Sequence, residues 1–320
     1  MKKQIHSMAF YHAEGFVPAW KQATRFAGEA GRVGTLPDVI DARLVTEPGS
    51  VPWERYFTTL SAEYVGYTRG GNRIIIVAHG VGPMATLDGV LAAYKHDYGG
   101  KDHERRGGRI SQAEFNKLES GAYGPVEVVD LEALLRRYEY PFLETLTARQ
   151  ALGEPLLKAR LGPRWEEYIE RHATIATEWH WEQAGVKPDN RCNLPEWEDY
   201  LSRREIMHRD AARGANPCIL RMEDGSQCSY EHTDCLHLQD LGVATAFLLS
   251  ICGLVHMGSG GAEDLICEIG GHGWSDGTRL LGIRSRDPVT NIHDGPDSYQ
   301  LLRRRWQKLM NPVKRPARLG

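Results

Sequence analysis

A glycine-rich turn, His79-Gly80-Val81-Gly82-Pro83, is the stretch of this sequence best suited to bind a ligand. It follows four apolar residues, Ile74 to Val77, and precedes an apolar-periodic segment that begins at Thr86. Backbone N–H groups at the start of a helix can bind an anion or a sugar hydroxyl. The pattern therefore predicts a ligand-binding turn, and a purely structural turn is the alternative.

A possible nucleophile lies in Gly273-Trp274-Ser275-Asp276-Gly277, which fits the G-x-S-x-G elbow of serine hydrolases. Ser275 would need a later histidine held by an acid, and His293 and Asp287 are the candidates in that order. Few residues follow Ser275, and the pattern is short in a glycine-rich chain. A serine hydrolase is therefore kept as an alternative function only.

The densest group of soft ligands consists of Cys228, His232, Cys235 and His237. Structural zinc sites prefer paired ligands at C-x2–4-C and H-x3–5-H spacings, and this group approaches that pattern only in part. Reduced thiols and surface histidines account for the group better, while zinc binding stays an alternative. We expect no metal site and no cofactor.

Buried strands and amphipathic helices must position these residues. The Ile74 run has no polar alternation and predicts a strand buried on both faces, and the periodicity from Thr86 predicts a helix. Thr58 to Tyr67 predicts a strand joined to it by a tight turn, and Asp38 to Val45 predicts a short strand. These patterns predict an α/β fold with a mixed or largely parallel central sheet flanked by helices.

We expect one domain over residues 1–320, with a mainly helical insert over 131–214. Within the insert we predict a helix from Leu131 and a longer helix from Pro163 to Gly185, whose apolar residues recur with helical spacing. After it we predict a strand at 217–222 and a helix around 301–310.

The segment from Tyr67 to Pro83 resembles the early strand pair of the purine and uridine nucleoside phosphorylases. Two later features occur in the order of that family. Met222-Glu223 is similar to the Met-Glu pair whose carboxylate holds the ribose hydroxyls. Ser275-Asp276 is similar to the Ser-Asp pair whose acid protonates the purine. The match covers about a third of the chain, and the family's Arg-x-Gly-Ser-x-Gly strand is missing.

The resemblance implies a nucleoside phosphorylase-like or nucleosidase-like enzyme that cleaves an N-glycosidic bond. It implies that the turn at His79, Gly80, Gly82 and Thr86 binds phosphate or ribose, with Arg43 or Arg73 as the cation. Met222 and Glu223 would hold the sugar, and Asp276 would protonate the base. Such cleavage needs an oriented sugar and a proton for the leaving base. A non-catalytic nucleotide- or metabolite-binding α/β protein is the alternative.

Composition limits the kinds of partner. The 320 residues carry 39 basic and 42 acidic side chains, so there is no excess of positive charge that would favour binding to a polyanion. No nucleic-acid partner is therefore expected. The N-terminus lacks an apolar signal segment, and Gly242 to Met257 is too short for a membrane span. Six cysteines fit reduced thiols in a cytoplasmic protein without membrane contact. The expected partner is a small-molecule substrate, a nucleoside with phosphate, and a homo-oligomer is compatible with the sequence.

Overall fold

The computed structural model describes the chain in ten stretches, and every structural statement concerns these residues. They are residues 5–95, 108–137, 145–147, 151–183, 205–207, 243–251, 255–257, 264–266, 269–272 and 278–295. No helix among them is long and apolar enough to cross a bilayer.

The described strands are short to medium in length. They are β1 (Ser7–His12), β2 (Arg32–Val33), β3 (Phe57–Tyr67), β4 (Arg73–His79), β5 (Gly108–Ser111), β6 (Glu127–Asp130), β7 (Thr145–Thr147), β8 (Glu205–Met207), β9 (Val243–Ile251), β10 (Val255–Met257), β11 (Asp264–Ile266), β12 (Ile269–His272), β13 (Thr278–Ile283) and β14 (His293–Asp294). The described α-helices are α1 (Phe16–Ala27), α2 (Leu36–Val45), α3 (Val51–Glu54), α4 (Leu87–Lys95), α5 (Gln112–Glu119), α6 (Leu131–Arg137), α7 (Pro155–Leu161) and α8 (Trp165–Gln183). A 3₁₀ turn spans Pro83–Ala85.

The large sheet has the strand order β12-β9-β3-β4-β6, and β5 also pairs with β9. Every strand pair described within it is antiparallel. β3 and β4 form a hairpin with Tyr67 opposite Arg73. Its turn is closed by the Thr68 N–H, which donates to the Asn72 carbonyl at 2.8 Å, and Gly71 supplies the positive φ of +82°. The predicted strand pair and its tight turn are thus confirmed.

The terminal sheet joins the two ends of the described chain, in the order β14-β1-β13-β2. β1 and β13 are antiparallel, with Ser7 opposite Ile283 and His12 opposite Thr278. β14 is parallel to β1, with Met8 opposite His293. Two further pairs, β10 with β11 and β7 with β8, are antiparallel. The sheet places the segment before β1 beside the segment after β13.

The hydrophobic core lies on both faces of the large sheet. Alternate residues of β4 enter different clusters, since Ile75 and Val77 pack with residues of α2, α7 and α8. Ile74 and Ile76 pack with residues of α4 and α5 on the other side. Helices therefore cover an antiparallel sheet on both faces, which explains an apolar run without polar alternation.

The predicted α/β fold with a mixed or largely parallel central sheet is wrong. An apolar run indicates burial on both faces, which is typical of a parallel strand but does not determine strand direction. After β4 and α4 the chain does not return as a parallel neighbour of β4. β6 pairs with β4 in the antiparallel sense, with Ile74 opposite Asp130. The predicted burial of β4 on both faces is confirmed, and the predicted parallel direction is wrong.

The predicted strand from Asp38 to Val45 is also wrong, because these residues belong to helix α2. Pro37 lies at the start of the helix, where its missing N–H costs nothing. The Asp38 carboxylate accepts hydrogen bonds from the Thr35 N–H at 2.8 Å and the Thr35 hydroxyl at 2.7 Å. These contacts cap the helix at a position where the sequence offers a short apolar run.

The predicted helices that begin near residues 87, 131 and 163 are confirmed as α4, α6 and α8. The section from 131 to 214 contains α6, α7 and α8 together with the short strands β7 and β8. Its extent as an insert, and the single domain, stay predictions. The strand predicted at 217–222 and the helix at 301–310 lie outside the described residues.

Candidate functional site

The glycine-rich turn is packed into the protein through His79, at the end of β4. Its Nδ1 lies 2.6 Å from the Ser61 hydroxyl, and its Nε2 lies 2.9 Å from the Ala159 carbonyl. Because a carbonyl can only accept, Nε2 carries the hydrogen and the Ser61 hydroxyl donates to Nδ1. The Ser61 oxygen in turn accepts the Leu36 N–H at 2.8 Å. Burial lowers the pKa of His79, so this network ties neutral imidazole to α2 and α7.

The two glycines of the turn approach other side chains closely. The Gly80 N–H donates to the Leu60 carbonyl at 2.8 Å. Gly82 has φ +93°, and a Cβ there would lie 2.8 Å from Leu118 Cδ2 and 3.2 Å from the Tyr64 hydroxyl oxygen. The turn needs glycine for close packing, and the Gly80 N–H already has an acceptor within the chain.

Thr86 starts helix α4. Its Oγ1 accepts the Gly89 N–H at 3.1 Å, and its carbonyl accepts the Val90 N–H at 2.9 Å. Just before it, the Met84 N–H donates to the Tyr64 hydroxyl at 3.2 Å. The strand, turn and helix predicted here are present, and these N–H groups bond within the protein.

The predicted cations Arg43 and Arg73 lie apart from the turn. Arg43 is fully buried in α2 and donates to the Pro52 carbonyl at 2.7 Å and to the Tyr168 hydroxyl at 2.8 Å. Arg73 begins β4, about 20 Å from the other end of that seven-residue strand, and pairs with Glu132 at 2.5 Å. The structure does not bring the two arginines together with His79.

The remaining predicted residues, Met222, Glu223, Ser275 and Asp276, lie outside the described residues. So do Cys228, His232, Cys235 and His237. The described part of the chain holds no group of three His, Cys, Asp or Glu side chains that could bind a metal ion. The individual site residues and the zinc alternative stay predictions.

A cleft of about 360 Å³ lies where the N-terminal segment meets the segment after β13. Ile5, Ser7, Ile283 and Val289 form part of its wall. The polar side chains around it lie in loops or at strand ends. They are His6, Ser285, Asp287, Thr290, Asn291 and His293.

Buried contacts hold the loop of the cleft in place. Val289 and Ile292 anchor it in the core, with 4% and 2% of their surfaces exposed. The Ser7 hydroxyl donates to the Asn291 carbonyl, and the Arg284 N–H donates to the His6 carbonyl at 2.8 Å. The cleft is therefore formed before any ligand arrives, which lowers the entropy cost of binding.

The polar side chains of the cleft are available to a ligand. Five of these side chains are exposed and have no hydrogen-bond or ion-pair partner within the described residues. They are the side chains of His6, Asp287, Thr290, Asn291 and His293. Ser285 Oγ accepts the Asp287 N–H at 3.2 Å, and its own hydrogen has no acceptor among the described residues. The cleft thus offers both donors and acceptors.

Sequence reasoning named two of these residues for another purpose and missed the others. His293 and Asp287 were considered only as partners of Ser275. His6 and Asn291 were not singled out, because nothing in the sequence joins residue 6 to residue 291. The buried pair Val289 and Ile292 within a polar loop was the one local signal of an anchored segment.

Comparison with known proteins gives a result for the fold alone. No protein-family model and no curated protein matches the sequence. A solved structure, described as the accommodation of massive sequence variation in Nanoarchaeota by the C-type lectin fold, is similar to this chain. It shares 17% sequence identity with a TM-score of 0.51, and the match covers 88% of this chain and 99% of that one. The fold is of the C-type lectin type.

The C-type lectin fold corrects the predicted identity and function. The resemblance to the purine and uridine nucleoside phosphorylases is wrong, because the structural match is to an unrelated fold built on antiparallel sheets. The predicted nucleoside phosphorylase-like or nucleosidase-like function is wrong for the same reason. Its alternatives, an α/β binding protein and a serine hydrolase, lose the parallel-sheet fold on which they depended.

Proposed function

We propose that this chain is a binding protein that recognises a small, hydroxyl-bearing molecule in the cleft between residues 5–7 and 283–293. The observation that carries the proposal is a preformed cleft whose exposed polar side chains have no partner in the part of the chain that the structure describes. Its volume of about 360 Å³ falls within the range of small-molecule sites, roughly 300–1,000 Å³. The structurally similar protein is described as accommodating massive sequence variation in the C-type lectin fold. This description supports ligand recognition as the function of a chain with the same type of fold.

The chemistry of the lining favours hydroxyl groups as the partner. A carboxylate such as Asp287 only accepts hydrogen bonds, whereas the amide of Asn291 both donates and accepts. The hydroxyls of Ser285 and Thr290 also do both. A ligand hydroxyl is itself a donor and an acceptor, so several hydroxyls on one small ring can satisfy this mixed set. Ile5 and Val289 supply an apolar wall for the ring carbons.

Titrating the full chain with a panel of monosaccharides, followed by amide chemical shifts, tests the proposal. We expect shifts for residues 5–7 and 283–293 with at least one sugar. Asp287→Asn should lower its affinity about tenfold, since a hydrogen bond to a charged group contributes about 1.5 kcal/mol or more.

The matched control is Asp88→Asn, which changes an exposed carboxylate on α4 and should leave affinity unchanged. Two results would overturn the proposal. One is a panel in which no sugar shifts the cleft residues, and the other is equal binding by the Asp287→Asn variant and the wild type.

A further inference from the structure

Strand β6 lies at one end of the large sheet, and among the described strands it pairs only with β4. The β3–β4 hairpin shows in which direction the backbone groups of β4 bond. The Gly80 N–H donates to the Leu60 carbonyl directly opposite it. At the other end of the hairpin, the Thr68 N–H donates to the Asn72 carbonyl opposite it. The even-numbered residues of β4 therefore bond to β3.

Bonding direction alternates along an antiparallel strand, so the odd-numbered residues of β4 bond to β6. There Ile75 lies opposite Val129, and Val77 lies opposite Glu127. The residue between them on β6, Val128, consequently directs its N–H and its carbonyl away from β4. Neither group has a hydrogen-bond partner in the part of the chain that the structure describes. Such an edge can pair with a further strand.

The side chains of β6 combine an apolar row with two carboxylates. Val128 is 50% exposed and lies opposite Ile76, on the side of the sheet that α4 and α5 cover. Val126, two positions earlier, is partly buried against the same cluster. Glu127 and Asp130 are both exposed, and neither has an ion-pair partner within the described residues.

The basic side chain described on the neighbouring strand does not neutralise this edge. Arg73 of β4 pairs with Glu132 of α6 at 2.5 Å. The edge therefore presents a free backbone donor and acceptor beside exposed valine and uncompensated negative charge.

We propose that the β6 edge is a docking site for a basic, extended segment of a partner protein, which adds to the large sheet as a further strand. Its main chain bonds to the Val128 N–H and carbonyl, and its alternate apolar side chains cover Val126 and Val128. Its lysines or arginines meet Glu127 and Asp130. Charge selects this occupant over a second copy of the chain, since two β6 strands would place four carboxylates along one short seam.

Two end-capped peptides, Lys-Val-Lys-Val-Lys and Glu-Val-Glu-Val-Glu, test the site when each is titrated into the full chain. We expect amide chemical shifts at residues 126–130 with the lysine peptide and none with the glutamate peptide. The affinity for the lysine peptide should fall as salt is raised, because exposed charges are screened.

The variant Val128→Pro removes the outward N–H and keeps the ladder to β4, so it should abolish peptide binding at an unchanged melting temperature. The matched control Val128→Thr keeps this N–H and the β-branched shape, and it should bind as the wild type does.

The double variant Glu127→Gln/Asp130→Asn tests the charge and should weaken binding about fivefold, from two exposed charge contacts. Asn at 130 keeps a side-chain oxygen to accept the Ala133 N–H at the start of α6. Glu29→Gln, which changes an exposed carboxylate after α1, is the control and should not change the affinity.

Equal responses to the two peptides would overturn the proposal, as would equal binding by Val128→Pro and Val128→Thr. Should Val128→Pro lower the melting temperature, the double variant decides, and an unchanged affinity in that variant overturns the proposal. A dimer in size-exclusion chromatography that Val128→Pro converts to a monomer would assign the edge to a second copy and also overturn it. None of these outcomes depends on the cleft.

Discussion

At the scale of single residues, two buried polar side chains of the core differ in whether they have hydrogen-bond partners. Arg43 is fully buried, yet it bonds to the Pro52 carbonyl and the Tyr168 hydroxyl, and its guanidinium lies 5.3 Å from the centre of the Trp53 ring. His172 is different, since it is 1% exposed and neither ring nitrogen has a hydrogen-bond partner within the described residues. A buried polar group without a hydrogen-bond partner lowers the stability of the fold. For a buried histidine, the stability of the fold also depends on pH.

His172 should make the protein less stable in acid. Burial, and secondly the charge of Arg43, lower the pKa of His172 to about 3 from its ordinary 6.5. Between those values the unfolded chain binds a proton that the folded chain does not, so stability falls as pH falls from 6.5 towards 3. We expect His172→Leu to flatten the slope of the free energy of unfolding by up to about 1.4 kcal/mol per pH unit.

Urea unfolding at several pH values between 6.5 and 4 measures that slope. The control His12→Gln alters a histidine outside the core and should retain the slope of the wild type. An identical slope in His172→Leu and the wild type would contradict the expected role of His172.

At the scale of elements, one buried ion pair joins β3 of the large sheet to helix α7. Arg160 Nε lies 2.7 Å from Glu63 Oε2, and its NH2 group lies 3.1 Å from Oε1, with both side chains fully buried. Such a two-pronged contact fixes the orientation of one element on the other. Desolvation offsets much of its attraction, so its effect on stability is seen when one partner is lost.

Arg160→Met should destabilise the fold by roughly 3–5 kcal/mol, because it leaves the Glu63 carboxylate buried without its partner. The double variant Glu63→Leu/Arg160→Met should recover most of that loss, since no unpaired charge then remains at this position in the core. Chemical unfolding compares the two variants. Glu167→Gln, which breaks the exposed pair with Arg164, serves as the control and should change little. A double variant less stable than Arg160→Met would contradict this account.

At the scale of the whole molecule, the terminal sheet closes the fold by placing β1 beside β13 and β14. Ala9 in the middle of β1 is fully buried and lies opposite Leu281. The same pairing places His6 beside the loop that carries Asp287. The integrity of the cleft therefore depends on β1 staying paired with β13.

Ala9→Glu should destabilise the protein by several kcal/mol, since a buried unpaired charge costs far more than a surface one. It should also abolish sugar-induced shifts in the cleft. Val45→Glu, at a side chain that is 54% exposed, is the matched control and should stay within about 0.5 kcal/mol of the wild type. Thermal unfolding and the amide spectrum measure both effects. Equal stability of the two variants would show that β1 does not close the fold.

Local pattern predicted much of the secondary structure and little of the fold. The β3–β4 hairpin was found because Arg69 to Asn72 supplies turn residues between two apolar runs. Helix α8 was found because its apolar positions recur with helical spacing. Strand direction was missed because an apolar run looks the same in either sense. α2 was missed because its cap depends on Thr35 and Asp38, just outside or at the start of the segment read as a strand.

The candidate site was missed for a reason of distance along the chain. Ser7 and Asn291 are 284 positions apart and meet only because β1 pairs with β13 and β14. The sequence alone determined where the chain is buried and where it turns, since burial and turning follow from the types of neighbouring residues. The tertiary structure alone decided strand direction, the C-type lectin type of fold and the cleft. These three features depend on pairing between segments that are distant in the sequence. The residues of one segment do not identify the segment with which it pairs.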